Sequence, residues 1–344
     1  MESSRVCAIV VTYNRIGLLA QCLEGVRSQS RKVDRLIVID NASTDSTVET
    51  LHSEFPDATV ITLGENTGAS GGFAAGFQAA LKHEWDWLWV LDDDVVPEAN
   101  CLEELLGVAA ASMKHIVAPR RRARAGFYPR HEAVIDERSQ SYAAPSGETR
   151  WSPIDLFTFE GPLIRRLVVE KVGLPNARFF IIADDTEYAV RVYQEFGPLS
   201  AALANETAVD RLLIPPEPVI VNSRLIRLFT GDGRVELHPD DEHWKKAYYF
   251  RNRHLIWKML SWRERRFRQI LAHAVYIVTD LLIAARRGWD WRLRLAVNTK
   301  AFWMGVLGRD GILIHPADYH AALVSRRSKK TRAPAPSTRK TQPN

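Results

Sequence analysis

The sequence predicts an α/β fold built on a parallel sheet, and three observations carry that prediction. Continuous apolar runs at 6–11 and 36–39 read as strands buried on both faces, and 59–63 and 87–91 as a third and a fourth strand. Between the first two, residues 16–28 put apolar side chains at helical spacing, so the chain opens strand, helix, strand. Each run ends in a polar cluster: Thr12-Tyr13-Asn14, Asp40-Asn41, the glycine-rich stretch 64–76, and Asp92-Asp93-Asp94. Open α/β sheets gather ligands at the carboxyl ends of their strands, so one cleft is expected there.

The remaining elements follow in order. Asn41-Ala-Ser-Thr-Asp-Ser-Thr is rich in capping residues and begins a second helix, and the glycine-rich turn opens a third that reaches Lys82. Residues 120–150 are polar and basic with weak periodicity, which predicts irregular strands or a loop. Short apolar runs at 157–161 and 179–182 predict further strands, with Asp184-Asp-Thr-Glu-Tyr starting a helix after the second. From 240 to about 324 the pattern is helical, and the Lys, Arg, Ser and Pro tail beyond it lacks the apolar content to fold.

At 344 residues, with 46% apolar and 25% charged residues, the chain has enough apolar content for a sizeable core. Three widely spaced cysteines, Cys7, Cys22 and Cys101, form no C-x-x-C pair, and read as buried thiols in a reducing compartment. The first apolar segment is too short and wrongly flanked for a signal peptide, so a cytosolic protein is expected. The later stretch 270–285 is interrupted by His273 and Asp280, and no transmembrane segment is expected. The net charge of +5 hides an asymmetry, because residues 245–344 carry 22 Lys and Arg against 5 Asp and Glu. The same region holds Trp257, Trp262, Trp289, Trp291 and Trp303. Basic charge interleaved with indole suits an anionic membrane surface, and a solvated helical face with core tryptophans is an equal reading.

Three adjacent aspartates after a buried strand repel one another in a low-dielectric site, and a hard dication removes that penalty. Mg²⁺ and Mn²⁺ take one or two carboxylates plus phosphate oxygens, and strand alternation points Asp92 and Asp94 to the same side. A solvated acidic turn capping the helix near Pro97 is the plainer alternative. The glycines at 68–76 match neither a Walker loop nor a dinucleotide fingerprint; they suit a phosphate or sugar contact, or simple helix packing.

Four motifs occur in one order: V-V-T-Y-N-R at 10–15, V-I-D-N-A-S-T-D at 38–45, N-T-G at 66–68 and L-D-D-D-V at 91–95. Together they resemble the family 2 glycosyltransferases over roughly residues 5 to 260. The resemblance implies a GT-A fold, with residues 1–120 as the nucleotide-sugar-binding half, 121–240 as the acceptor half, 241–325 as a helical, basic, Trp-rich region and 326–344 as a disordered tail. It also implies transfer with inversion. Thr12 and Tyr13 would line the nucleobase pocket and Asp40 would accept hydrogen bonds from the base. Asn14, Asn66, Gly68 and Gly72 would join the nucleotide-sugar contacts, Asp93 would lie near the sugar, and Asp92 and Asp94 would hold Mn²⁺ or Mg²⁺ on the diphosphate. The chemistry agrees, since Tyr13 offers a stacking face and Asp40 an acceptor-only group suited to a uracil or thymine N–H. For Asp40 an N-cap role is the alternative.

The run F-F-I-I-A-D-D-T-E-Y-A-V-R at 179–191 resembles the acceptor-side motif of the same family, where a carboxylate deprotonates the attacking hydroxyl. Alignment of the pair favours Asp185 as base, with Asp184 second, and a capped surface helix is the alternative. The run W-K-K-A-Y-Y-F-R-N-R-H-L-I at 244–256 is similar to bacterial galactofuranosyltransferases, with rhamnosyltransferases close by. By that likeness Arg251 and Arg253 would contact diphosphate. One departure stands out: V-I-V-N at 219–222 puts Asn222 where those enzymes often place a metal-binding His. His238 is the candidate substitute, and two carboxylates completed by substrate and water are another.

The expectation is therefore a hexosyltransferase at the inner face of the cell membrane. It would take UDP-galactofuranose, or dTDP-rhamnose, and act on a glycan or polyprenyl-linked acceptor, with no nucleic-acid partner. The nearest enzymatic rival is a sugar nucleotidyltransferase, whose early G-x-G-T-R-type loop is replaced here by Val10-Val-Thr-Tyr-Asn. A non-catalytic membrane adaptor driven by the basic region is the rival of another class.

Overall fold

The computed structural model describes residues 4–123, 132–146, 150–212, 219–222 and 234–331. It divides into two compact units, one of residues 1–216 and 255–265, the other of 217–254 and 266–344.

The first unit opens with β1 (Val6–Thr12), α1 (Ile16–Arg27), β2 (Arg35–Asp40), α2 (Thr47–Glu54), β3 (Thr59–Thr62), α3 (Gly68–Ala80) and β4 (Trp87–Asp92). β3, β2, β1 and β4 lie side by side and parallel, as successive strand–helix–strand units require. Register puts Thr12 opposite Asp40 and Val11 opposite Asp92, so the polar clusters share one edge. Side chains alternate across β1. Cys7, Ile9 and Val11 face the core under α3, while Val6, Ala8 and Val10 face the core under α1. Burial on both faces is why these strands read as unbroken apolar runs.

The sheet continues through β5 (Val95–Pro97), α4 (Cys101–Ser112), β6 (Ile116–Ala123), β7 (Val134–Asp136), β8 (Ser141–Ala143), β9 (Trp151–Ile154), β10 (Leu163–Arg165), α5 (Arg166–Val172), α6 (Asp184–Phe196) and β11 (Ala201–Arg211). Among the described residues the strand order is β3-β2-β1-β4-β10-β6-β11-β5, with β9 also on β11 and a separate β7–β8 hairpin. β10 is antiparallel to both β4 and β6, which makes the sheet mixed.

Two predicted strands are absent. Residues 157–161 form an irregular crossing in which Gly161 adopts φ +99° and its carbonyl accepts from Trp89 Nε1 at 3.0 Å. Residues 179–182 form a tight turn instead. Both runs are apolar because Phe157, Phe159, Phe179 and Phe180 are buried, and a short apolar run reports burial without specifying a strand. All three cysteines are buried and free, and burial pushes the Cys7 and Cys101 thiols up to about 12.

The second unit contains an antiparallel pair of strands, β12 (Val219–Asn222) and β13 (Arg234–Leu237). Helices follow: α7 (His243–Met259), α8 (Arg263–Arg287), α9 (Trp291–Leu307) and α10 (Pro316–Thr331). The unit boundary falls within α7 and within α8. The last helix runs into the stretch expected as a tail, and residues 332–344 lie outside the described residues. The centre of the unit is polar. Arg294, fully buried, donates to Asp240 Oδ1 at 3.0 Å and to Asp280 Oδ1 at 2.5 Å, and Asn298 Nδ2 donates to Asp280 Oδ2 at 3.0 Å.

Candidate active site

The carboxyl edge of the parallel strands is built from side chains that reach between loops. Asn14, at φ +52°, accepts through Oδ1 from the Thr44 amide at 2.6 Å, tying the loop after β1 to the loop after β2. Asn41 reaches onward: its Oδ1 accepts from the Thr67 amide at 2.9 Å, and its Nδ2 donates to the Gly68 carbonyl at 2.9 Å and to Asn66 Oδ1 at 3.2 Å. The three loops are thus tied to one another. Asp40 lies beneath them with no exposed surface; Oδ1 accepts from the Ser43 amide at 3.1 Å, and Oδ2 has no partner. A buried carboxylate oxygen left without a donor is costly, and a ligand N–H would satisfy it.

The glycines divide between two tasks. Gly68 takes φ +74°, and a Cβ there would sit 2.1 Å from the Phe180 carbonyl oxygen. Gly72 and Gly76 let α3 lie flat on β1, since a Cβ would come within 2.4 Å of Val11 and 2.5 Å of Ile9 respectively. The structure thus gives Gly72 a packing reason to be glycine.

The three aspartates have separate surroundings. Asp93 is buried, with Oδ2 accepting from Thr12 Oγ1 at 2.8 Å and Oδ1 facing Arg15 Nη1 at 3.2 Å. Burial raises its pKa, opposed by Arg15 and Thr12. Asp94 is buried with Oδ1 unpartnered and Oδ2 3.6 Å from Arg211 Nη2. Burial pushes it up to about 6, with Arg211 pulling down and Asp93 and Glu160 pushing up. Asp92 is raised well above the carboxylate range by burial first, then by Asp94 and Glu160. Among the described residues no three His, Cys, Asp or Glu side chains are arranged to hold a metal ion. Asp92 and Asp94 crowd each other and leave an oxygen orphaned, which fits a dication that draws its other ligands from substrate and water.

Sequence reasoning missed the cations and the fourth acid around this cluster. Arg211 contacts Glu160, and Arg121 bridges Glu160 at 3.0 Å and Glu132 at 2.8 Å, all largely buried. Glu160 sits in the run taken for a strand, and no local pattern marked it. Arg15 lay inside a quoted motif without an assigned role.

The second acidic cluster opens α6. The approach to it is strained: Phe180 has φ +67° and ψ −62°, with the Ile181 amide donating to the Phe179 carbonyl at 2.9 Å. That is a γ-turn of the rare hand. Ile182 and Ala183 follow at φ +64° and +63°, and a β-branched residue there is an outlier. The Phe180 carbonyl accepts from the Ser70 amide at 3.1 Å, so the turn is fastened to the start of α3. Asp184 is buried beside Ser70, and burial, then Asp185, push it up to about 7. Asp185 is half-buried, and its Oδ1 accepts from the Thr186 amide at 2.5 Å.

Three residues carried over from the resemblance lie in the second unit. Arg251 is fully buried, donates to the Gly311 carbonyl at 2.7 Å and is lowered to about 10 by burial. Arg253 is half-buried over the Tyr249 ring, 5.0 Å from its centroid. His238 is half-buried, and its carbonyl accepts from Arg294 Nη2. The Asn222 side chain lies outside the described residues.

Residues 7–171 match the family described as Glycosyl transferase family 2. The galactofuranosyltransferase GlfT1 of Mycolicibacterium smegmatis is 30% identical over 266 residues, covering 72% of this chain and 81% of that protein. The chain belongs to glycosyltransferase family 2. GlfT1 of Mycobacterium tuberculosis is likewise 30% identical, over 307 residues, covering 84% of this chain and 94% of its relative. Among solved structures, the mannosyltransferase PcManGT of Pyrobaculum calidifontis, determined with GDP-Man and Mn²⁺, superposes with a TM-score of 0.50 at 18% identity, covering 96% of this chain and 81% of that one. GalNAc-T7, determined with UDP, GalNAc and Mn²⁺, gives 0.52 at 13% identity over 62% of this chain, which spans 45% of that structure. These likenesses establish the GT-A fold. The family 2 chain is therefore a glycosyltransferase with a mixed α/β sheet and a helical carboxyl-terminal region, as its motifs implied.

Proposed function

We propose that this family 2 enzyme transfers galactofuranose from UDP-galactofuranose, with inversion, to a hydroxyl of a lipid-linked or polysaccharide acceptor. The observation that carries the donor site is the buried, unpartnered Oδ2 of Asp40 at the end of β2. An acceptor-only group in that position suits the N–H of a uracil edge, and Tyr13, which follows the Thr12 paired in register with Asp40, offers a ring for stacking. Support for the sugar comes from the two galactofuranosyltransferase relatives.

In this reading Asp92 and Asp94 hold Mn²⁺ or Mg²⁺, and the bound ion neutralises charge developing on the departing diphosphate. Thr12 and Arg15 fix Asp93 toward the sugar. Asn14, Asn66 and Gly68 hold the loop edge against the nucleotide. Asp185 takes the acceptor proton, with Asp184 the second candidate. Asp184, raised to about 7, has a basicity suited to such work at neutral pH. We further propose that the basic helical region holds the enzyme on the inner, anionic face of the cell membrane, where a lipid-linked acceptor is presented.

A donor panel with Mn²⁺ and a lipid-linked acceptor tests the reading. UDP release from UDP-galactofuranose alone is the expected result. Release of dTDP from dTDP-rhamnose would reassign the sugar, and no release from any nucleotide-sugar would sink the proposal.

A further inference from the structure

Two helices of the second unit turn polar groups inward and apolar side chains outward. Along α8 the buried residues are Ala272, His273, Tyr276, Asp280 and Ala284, which include an imidazole and a carboxylate. The opposite face follows the spacing of a single helical stripe, Phe267, Leu271, Ala274, Val278, Leu282 and Ala285. Phe267 is 62% exposed, Val278 58% and Leu282 61%. α9 buries Arg294 and Asn298 together with Leu293, Val297 and Ala301, while Trp291, Leu295, Trp303 and Leu307 stay exposed on its outer side. A helix folding against water alone turns its apolar stripe inward. Here Arg294, Asp280 and Asn298 point inward and are satisfied, Arg294 by Asp240 and Asp280, and Asn298 by Asp280, while the buried His273 Nε2 and Tyr276 Oη have no partner among the described residues. Polar-in, apolar-out is the arrangement of protein that meets lipid.

We infer that the outward faces of α8 and α9 insert into the acyl-chain boundary of an anionic bilayer, lying along the surface. α8 is long and apolar enough to cross a membrane by length and composition, but its buried His273 and Asp280 are built into the unit, where Asp280 bonds Arg294 and Asn298. Charge selects lipid over a second copy. The exposed arginines Arg263, Arg268, Arg286 and Arg287 bracket the α8 stripe, and Arg292 lies over Trp291 on α9. Residues 245–344 carry 22 Lys and Arg against 5 Asp and Glu. A second copy would set those charges against one another, whereas anionic headgroups neutralise them.

This inference rests on the proposed membrane reading and goes beyond it by naming the inserted face. The test is sedimentation of the full chain with phosphatidylcholine vesicles containing or lacking phosphatidylglycerol, for wild type and for V278D/L282D, both changes at exposed positions. The double variant is expected to keep its circular dichroism and melting temperature while binding anionic vesicles about tenfold more weakly or worse. A bimane probe at Leu282→Cys is expected to be quenched by nitroxide-labelled acyl chains. A double variant that binds as wild type, or an unquenched probe on bound protein, overturns the inserted face while leaving a purely electrostatic surface reading intact. Wild type that binds neither vesicle overturns both, and loss of dimerisation with unchanged vesicle binding assigns the face to a second copy.

Discussion

Thr12 Oγ1 donates to Asp93 Oδ2 at 2.8 Å, joining the end of β1 to the turn after β4 across 81 residues of sequence. The bond is buried, so Thr12→Val leaves a carboxylate oxygen without its donor in a site of nearly the same shape. A loss of about 1–3 kcal/mol in unfolding free energy is expected, measured by urea titration. Activity should fall as well, since only Arg15 and the Tyr13 backbone amide then hold Asp93. Thr12→Ser should restore both, and a Val variant as stable as wild type would remove this bond from the account.

Gly72 makes a second, purely steric prediction. A Cβ at that position would meet Val11 Cγ1 at 2.4 Å, and Val11 is on the central strand with no room to move. Gly72→Ala is expected to cost about 1–3 kcal/mol by overpacking. Val11→Ala in the same chain should return part of that loss, so a double-mutant cycle with no coupling would contradict the contact.

The parallel half was legible because its signals are local. Buried strands appear as apolar runs, and the polar clusters that end them, Thr12, Asp40 and Asp92, need only sequence order to be placed on one edge. The pairing of Asp94 with Arg211 and of Glu160 with Arg121 is not local: it depends on β11 lying between β5 and β6 in the mixed part of the sheet. Nor does any periodicity announce the γ-turn at Phe180, whose residues look like a strand because they are buried. The outward apolar faces of α8 and α9 were hidden for a related reason, since composition counts tryptophans and arginines without saying which face they occupy.

Asp184 predicts the pH behaviour. Its folded pKa of about 7 lies above the ordinary 3.8 because burial and Asp185 disfavour the charge. Below 3.8 both folded and unfolded chains are protonated and nothing is lost. As pH rises from about 4 to 7 the unfolded chain releases the proton and the folded one retains it, so stability falls through that window and levels off above it. Asp184→Asn removes the penalty. The variant should gain roughly 1–4 kcal/mol over wild type at pH 8 and nothing at pH 4, by denaturant titration at both. The acid limb of kcat in wild type should show an apparent pKa near 7, and in Asp184→Asn it should vanish or move. For Asp185→Asn, turnover should drop at least about a hundredfold with UDP binding retained.

Asp94 and Glu160 push Asp92 up, Asp93 and Glu160 push Asp94 up, and Arg211, which contacts Asp94 and Glu160, pulls both aspartates down. Without a metal, Arg211 is the main compensation for the cluster, so a dication and Arg211 should be partly interchangeable. With UDP present, saturating Mn²⁺ is expected to stabilise wild type by about 2–3 kcal/mol at a hundredfold excess over Kd, seen as a rise in Tm. Asp92→Asn and Asp94→Asn should lose that rise together with activity. Arg211→Met should lower Tm without metal and show a larger Mn²⁺ response than wild type, because the ion then relieves repulsion that Arg211 had been offsetting. An Asp94→Asn variant that keeps both its Mn²⁺ shift and its turnover would falsify the two-carboxylate metal site, and an Arg211→Met response no larger than wild type would separate Arg211 from it.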